Sequence, residues 1–285
     1  MEMGKSLMER LENSDLDIAA LKLLGQGRTA SVHDYGKGKV VKLYQPEIPE
    51  EDADREWAAS SLAFSLGIRT PKPYEIVRIE GRIGLVYQHI SGVTLLDVIK
   101  GKPWAVSASA KSLAWAHAEI HSREGGGLRE QKPMLADHIS EAPLLTPEEK
   151  QRILHHLDRL PAGYSLCHGD FHPDNVIVND GSWIVDWMNG ICGHPAGDAA
   201  RTLLLLSIGS MPENTSRTIS ALINLGRRRL KSAYLSQYLK ASGLSYTSID
   251  EWLLPVAAAR LSEGIPEAEK EQLAKIVRGR LTQDH

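Results

Sequence analysis

A chain of 285 residues, 42% hydrophobic and 24% charged, has enough apolar content to bury a core in one large domain or two modest ones. Its formal charge of −3 gives no global attraction to nucleic acid or to an anionic membrane surface, so neither partner is expected. Two cysteines exclude a disulfide framework, and "MEMGKSLMERLENSD" lacks the basic and apolar parts of a secretory signal. The longest strongly apolar run, Leu203 to Ile208, is far short of the roughly 20 residues that span a bilayer. A cytoplasmic protein is expected.

The first ninety residues read mostly as strands. "ALKLLGQGRTASVHDYGKGKVVKLY" has apolar segments around a glycine-containing turn, a hairpin turn at "GKGK" and the β-prone "VVKLY", a small antiparallel sheet. In "EEDADREWAASSLAFSLG" acidic residues lead, alanines and large apolar residues recur, and Gly67 stands at the end, predicting a helix from about Glu51 to Leu66. Strands resume in "YEIVRIEGRIGLVYQHI" and give way to helical patterning after "SGVTLLDVI". The predicted division is therefore a sheet lobe over 1–90 and a mainly helical lobe over 91–285, an α+β fold. Within the second lobe "VSASAKSLAWAHAEIHS" is the best amphipathic stretch, and "REGGGLREQKP" reads as a loop. "NVIVNDGSWIVDW" reads as a hairpin turning at Asn179-Asp180-Gly181, with helix expected from about Asp198 onward.

The polar density of "LCHGDFHPDNVIV" admits two chemistries. Cys167, His168, His172, Cys192 and His194 are zinc-type ligands, but they lack a paired spacing such as C-x-x-C. "HAEIH" sets His117 and His121 one turn apart without the glutamate next to the first histidine that a metalloprotease helix needs, so both read as core or surface histidines. "RRRLK", Arg227 to Lys231, reads as a solvated helix face.

Phosphoryl transfer is the other chemistry, and each of its requirements has a candidate. The turn Gly25 to Val32, with Gly25 and Gly27, lets backbone approach phosphates closely. Lys42 lies mid-strand among apolar residues, where its charge needs a partner, and Glu56 in the following helix supplies one. Asp170 and Asn175 keep the D-x-x-x-x-N spacing of a kinase catalytic loop, and Asp186 ends the apolar run "WIVD" after the hairpin.

On "HGDFHPDNVIV" and "IVDW", with "LGQGRTASV", "VVKLY", "REW" and "GHPAGDAARTLLL" in order, the chain resembles the aminoglycoside phosphotransferase and choline kinase superfamily over about Leu23 to Leu206. The resemblance implies a two-lobed protein-kinase-like fold and an enzyme that phosphorylates a small-molecule hydroxyl with ATP or GTP and Mg²⁺. It implies Asp170 as base, Asn175 and Asp186 as metal ligands, Lys42 with Glu56 as the nucleotide-anchoring ion pair, and Gln88 and Ile90 as backbone contacts to the base. Asp198 resembles the family's buried brace of the catalytic loop, and His168 a structural member of that loop. With only two glycines in the turn, phosphate gripping falls to backbone and to the hydroxyls of Thr29 or Ser31. Asp-Trp-Met replaces the Asp-Phe-Gly of protein kinases, and His194 stands where an acid or amide is common.

Two further readings concern turnover and acceptor. A nucleotide-binding scaffold without turnover is marked by loss of the base, the metal ligands or the lysine, and all are present. From Leu203 to His285 there are 11 Lys plus Arg and 8 Asp plus Glu, the wrong sign for a generic polycation trap, although Glu263, Glu267, Glu269 and Glu271 are available. A choline-type acceptor needs aromatic walls from Trp104, Trp187, Tyr234, Tyr238 or Trp252. A sugar or other neutral hydroxyl compound is equally open.

Overall fold

The computed structural model describes residues 12–13, 17–208 and 217–282. The chain forms two compact units, one of residues 1–93 with 177–190 and the other of 94–176 with 191–285.

In the first unit, β1 (Glu12–Asn13), β2 (Leu23–Gln26), β3 (Ala30–Gly36), β4 (Lys39–Tyr44), β5 (Pro73–Ile79) and β6 (Arg82–Gln88) form one sheet in the order β1-β5-β6-β4-β3-β2. All pairs are antiparallel except β1 with β5. The β3–β4 and β5–β6 hairpins turn through Lys37-Gly38 and Glu80-Gly81, all at positive φ, as a tight turn matching strand twist requires. Alternation sorts β4 by face: Val41 and Leu43 join Val77, Ile79 and Val86 in one core, which leaves Lys42 and Tyr44 on the other. That second face packs on α1 (Glu50–Ser65), whose buried stripe of Ala53, Glu56, Ala59, Ser60 and Ala63 is made of small residues around a single glutamate. Small side chains let the helix approach the sheet closely, and the glutamate arrives beside the lysine.

A division at one point in the sequence assigns 177–190 to the helical lobe, whereas this segment belongs to the first unit. Hydrogen bonds between residues distant in sequence explain the difference. Ile184 N–H donates to the Arg69 carbonyl at 2.8 Å, the Thr70 hydroxyl donates to the Ile184 carbonyl at 2.7 Å, and Trp187 Nε1 donates to the Thr70 hydroxyl at 3.0 Å.

The second unit is helical: α2 (Leu95–Gly101), α3 (Val106–His121), α4 (Gln131–Glu141), α5 (Pro147–Arg159), α6 (Pro195–Ser207), α7 (Arg217–Ser242), α8 (Tyr246–Ala259) and α9 (Glu267–Leu281). Alanines 110, 114 and 116 on the buried face of α3 allow close packing on α7. Leu203, Leu204 and Leu206 of α6 are buried, so the apolar run belongs to the core. Ser165–Cys167 pairs antiparallel with Ile191–Gly193 and anchors the polar loop that begins at His168. Among the described residues no helix is long and apolar enough to cross a membrane.

Candidate active site

Three predicted residues meet in the first unit. The Lys42 ammonium lies 2.7 Å from Glu56 Oε2, 2.9 Å from Glu56 Oε1 and 2.8 Å from Asp186 Oδ1. Tyr44, two residues along the same strand, donates its hydroxyl to Glu56. Burial opposes the charge on Lys42, but Asp186 and Glu56 outweigh it and hold the ammonium above the usual lysine range. Burial pushes the Glu56 carboxyl up, with Lys42 acting against it. Asp186 adopts φ 66°, a left-handed conformation costly for a side chain that carries a Cβ. Buried Trp187, hydrogen-bonded to Thr70, fixes the turn, and the Asp186 side chain remains 44% exposed.

The glycine turn joins β2 to β3. Gly27 N–H donates to the Ala30 carbonyl at 2.8 Å, and a Cβ on Gly27 would lie 3.1 Å from that oxygen. Thr29 is half-buried. Ser31 differs from expectation: its hydroxyl is buried 2.9 Å from His33 Nε2, because β3 alternation turns it inward. At the end of β6, Gln88 N–H donates to the Lys72 carbonyl at 2.9 Å, so that group is already bonded within the protein. Ile90 follows just beyond the strand.

In the second unit, Asp170 and Asn175 share one loop. Asn175, buried, donates its side-chain N–H to the Asp170 carbonyl at 2.9 Å, which aims the carboxamide oxygen away from that carbonyl. Asp170 N–H donates to His168 Nδ1 at 3.3 Å. The Asp170 carboxylate lies 3.5 Å from His172 Nε2 and 3.4 Å from Arg201 Nη2. Burial works against its charge, yet the His172 contact and the Arg201 guanidinium hold the carboxyl well below the usual range.

The loop hangs from Asp198. Its Oδ2 accepts His168 N–H at 2.6 Å and its Oδ1 accepts Gly169 N–H at 3.0 Å. His117 and His121, one turn apart on α3, bring Nε2 to Asp198 Oδ2 at 3.1 and 3.2 Å, while Nδ1 of each lies 2.6 Å from the hydroxyls of Tyr234 and Tyr238 on α7. A neutral imidazole donates from one nitrogen and accepts at the other. Both rings thus donate from Nε2 to the carboxylate and accept tyrosine hydroxyls at Nδ1. The two histidines and Asp198 are close enough to hold a metal ion, but the four N–H groups aimed at one carboxylate make a hydrogen-bonded brace. Against the burial penalty, the histidine hydrogen bonds hold the Asp198 carboxyl well below the usual range. Burial and the neighbouring His121 push the His117 imidazole down to about 3.

The i,i+4 histidine spacing was legible in the sequence; the tyrosines that complete it lie 117 residues away in each case. Arg201, one turn after Asp198, carried no comparable signal. The zinc-type set of Cys167, His168, His172, Cys192 and His194 does not converge on a common point among the described residues. Cys167 and Cys192 stand at adjacent, not opposite, positions of the paired strands, so they point to opposite faces. Of the five aromatic residues, Trp187, Tyr234, Tyr238 and Trp252 are fully buried in core positions, and Trp104 is exposed; they do not form one aromatic wall.

The two sets of residues and the fold that carries them define a class: a small-molecule kinase of protein-kinase-like α+β fold. The family model for APH, the phosphotransferase enzyme family, matches residues 22–244, and the chain belongs to that family. Solved structures similar to it include an aminoglycoside-3'-phosphotransferase of type VIII, with TM-score 0.57 and 17% identity over 84% of this chain and 93% of that one. The streptomycin–ATP ternary complex of APH(2'')-IIa aligns with TM-score 0.54 and 17% identity over 91% and 90%. A macrolide 2'-phosphotransferase from Brachybacterium faecium aligns with TM-score 0.52 and 18% identity over 92% and 93%. No curated protein sequence matches the chain.

Proposed function

We propose that the enzyme transfers the γ-phosphoryl group of ATP or GTP to a hydroxyl of a small molecule, with Asp170 as base. The observation that carries this reading is the Lys42 ammonium held between Glu56 and Asp186, a fixed cation of the kind that aligns the phosphates of a nucleotide. In the proposed step the acceptor oxygen attacks the γ-phosphorus as the bond to the β-phosphate oxygen breaks. The hydroxyl proton passes to the Asp170 carboxylate and the nucleoside diphosphate leaves. A carboxylate held in its ionised form is a weak base suited to orienting the hydroxyl and taking its proton late, because phosphoryl transfer depends mainly on positioning and charge stabilisation.

Asp186 and Asn175 offer a carboxylate and a carboxamide oxygen, hard donors that fit Mg²⁺. When bound, Mg²⁺ would offset the charge of the phosphates. The glycine turn supplies backbone near Thr29, and Gln88 and Ile90 supply main-chain groups for the nucleotide base. Of the acceptor classes, an aminoglycoside-like compound, a sugar and an amino alcohol all fit a hydroxyl-directed Asp170.

The test is nucleoside diphosphate release with Mg²⁺ and ATP or GTP across a panel of aminoglycosides, macrolides, sugars and amino alcohols, with Asp170→Ala as the blank. Acceptor-stimulated release absent from the blank is expected. Nucleotide binding with no stimulated release by any class would favour a scaffold without turnover.

A further inference from the structure

Arg201 stands at the head of a line of alternating charges that the catalytic reading does not use. Its Nη2 lies 3.4 Å from Asp170 Oδ1 and its Nη1 2.5 Å from Glu263 Oε1. Glu263 Oε2 in turn lies 2.9 Å from Arg260 Nη1, and Arg260 holds buried Glu269 Oε1 through Nη2 at 2.7 Å and Nε at 3.2 Å. Arg260, Glu263 and Glu269 all lie beyond residue 244, where the family match ends. The line is enclosed: the Arg201 side chain is 17% exposed and that of Arg260 10%. Of the four glutamates that the sequence offered as an ammonium trap, Glu263 and Glu269 are already taken by guanidinium groups.

Two features make Arg201 more than a structural tie. Its Nη1 is committed to Glu263, which leaves the Nε–Nη2 edge, the parallel fork that matches a carboxylate, on the side of Asp170. On that edge Nη2 makes only a long contact, and Nε is buried without a hydrogen-bond partner among the described residues. An unpartnered buried donor is costly. The Asp170 carboxylate is the acceptor that Nη2 already meets on that edge.

We infer that Arg201 is a positioning residue for Asp170, and that the segment carrying Arg260, Glu263 and Glu269 belongs to the catalytic apparatus because it anchors that guanidinium. The inference rests on Asp170 being the base. The charged and titratable groups facing Asp170 are His168 and His172 from its own loop, Arg201 from α6 and, through Arg201, Glu263. Arg201 carries the permanent positive charge among these groups, so its removal leaves the Asp170 carboxylate without the guanidinium beside it.

The experiment is steady-state kinetics of nucleoside diphosphate release by the full chain, each variant first shown to be folded by its urea midpoint. In Arg201→Gln kcat should fall at least about tenfold with little change in nucleotide KM, with Arg201→Lys in between. Arg201→Gln combined with Glu263→Gln removes the unpaired carboxylate that the single change leaves behind. A structural tie predicts that this pair restores turnover; positioning predicts that it stays as slow as the single variant. An unchanged kcat in folded Arg201→Gln, or turnover restored by the double change, overturns the inference. Turnover retained in Asp170→Asn would instead overturn the assignment of the base, whatever the Arg201 variants show.

Discussion

Asp186 Oδ1 lies 2.8 Å from the ammonium of Lys42, across 144 residues of sequence, and Glu56 holds the same ammonium from the other side. Lys42→Met should therefore lower kcat/KM for the nucleotide by about 10- to 100-fold, the loss of a charge-assisted contact. Asp186→Ala should weaken nucleotide binding in the presence of Mg²⁺ and change it little without. Calorimetric titration with and without Mg²⁺ separates the two, and equal affinities for wild type and Asp186→Ala in Mg²⁺ would remove Asp186 from the metal site.

Asp170→Asn keeps the size of the side chain and removes its basicity. We expect kcat to fall by about 10²- to 10⁴-fold, with the nucleotide dissociation constant within about threefold of wild type, since a group acting on the acceptor proton contributes little to ground-state nucleotide binding. Single-turnover kinetics measure the first quantity and equilibrium titration the second.

Asp198→Asn should be among the most destabilising single changes. The carboxylate accepts four N–H groups in a fully buried place, and an amide would turn a donor toward some of them. A cost of about 3–5 kcal/mol is expected. Tyr238→Phe removes only the hydroxyl on His121 and should cost about 1 kcal/mol. Urea midpoints measure both.

Stability should fall on acidification before the carboxylates titrate. The His117 imidazole has its folded value lowered to about 3 from 6.5, so between these values the unfolded chain binds more protons and stability decreases as pH falls. His138 and His194 are lowered in the same direction, chiefly by burial. From pH 6.5 to 4.5 His117 alone should account for about 2 kcal/mol. His117→Gln should show a shallower loss over that interval in denaturant titrations at the two pH values. An unchanged slope would mean that the ring is not kept neutral by its surroundings.

The candidate catalytic residues were legible locally. Asp170 and Asn175 sit five positions apart in one loop, and a spacing that short survives any packing of the rest. The helix beginning near Glu51 and the strand around Lys42 were equally legible, because apolar periodicity and turn residues act within a few neighbours. Even the pairing of Lys42 with Glu56 followed from a charge placed where it needs a partner. What was not legible depends on distant segments. Ser31 was a phosphate candidate until strand alternation turned it to His33. The hairpin carrying Asp186 returns to the sheet unit through Arg69 and Thr70, bonds between positions more than a hundred residues apart.

By itself, then, the sequence determined the class of fold, the loop that carries Asp170 and Asn175 and the pairing of Lys42 with Glu56, since each rests on short-range pattern. Only the tertiary structure decided that His117 and His121 meet at Asp198, that most of the aromatic residues are core rather than pocket wall, and that Arg201 faces Asp170 while Glu263 holds it. The reason is physical: a buried polar group takes its role from whichever donors and acceptors packing brings within hydrogen-bond reach, and packing joins residues that no local spacing relates.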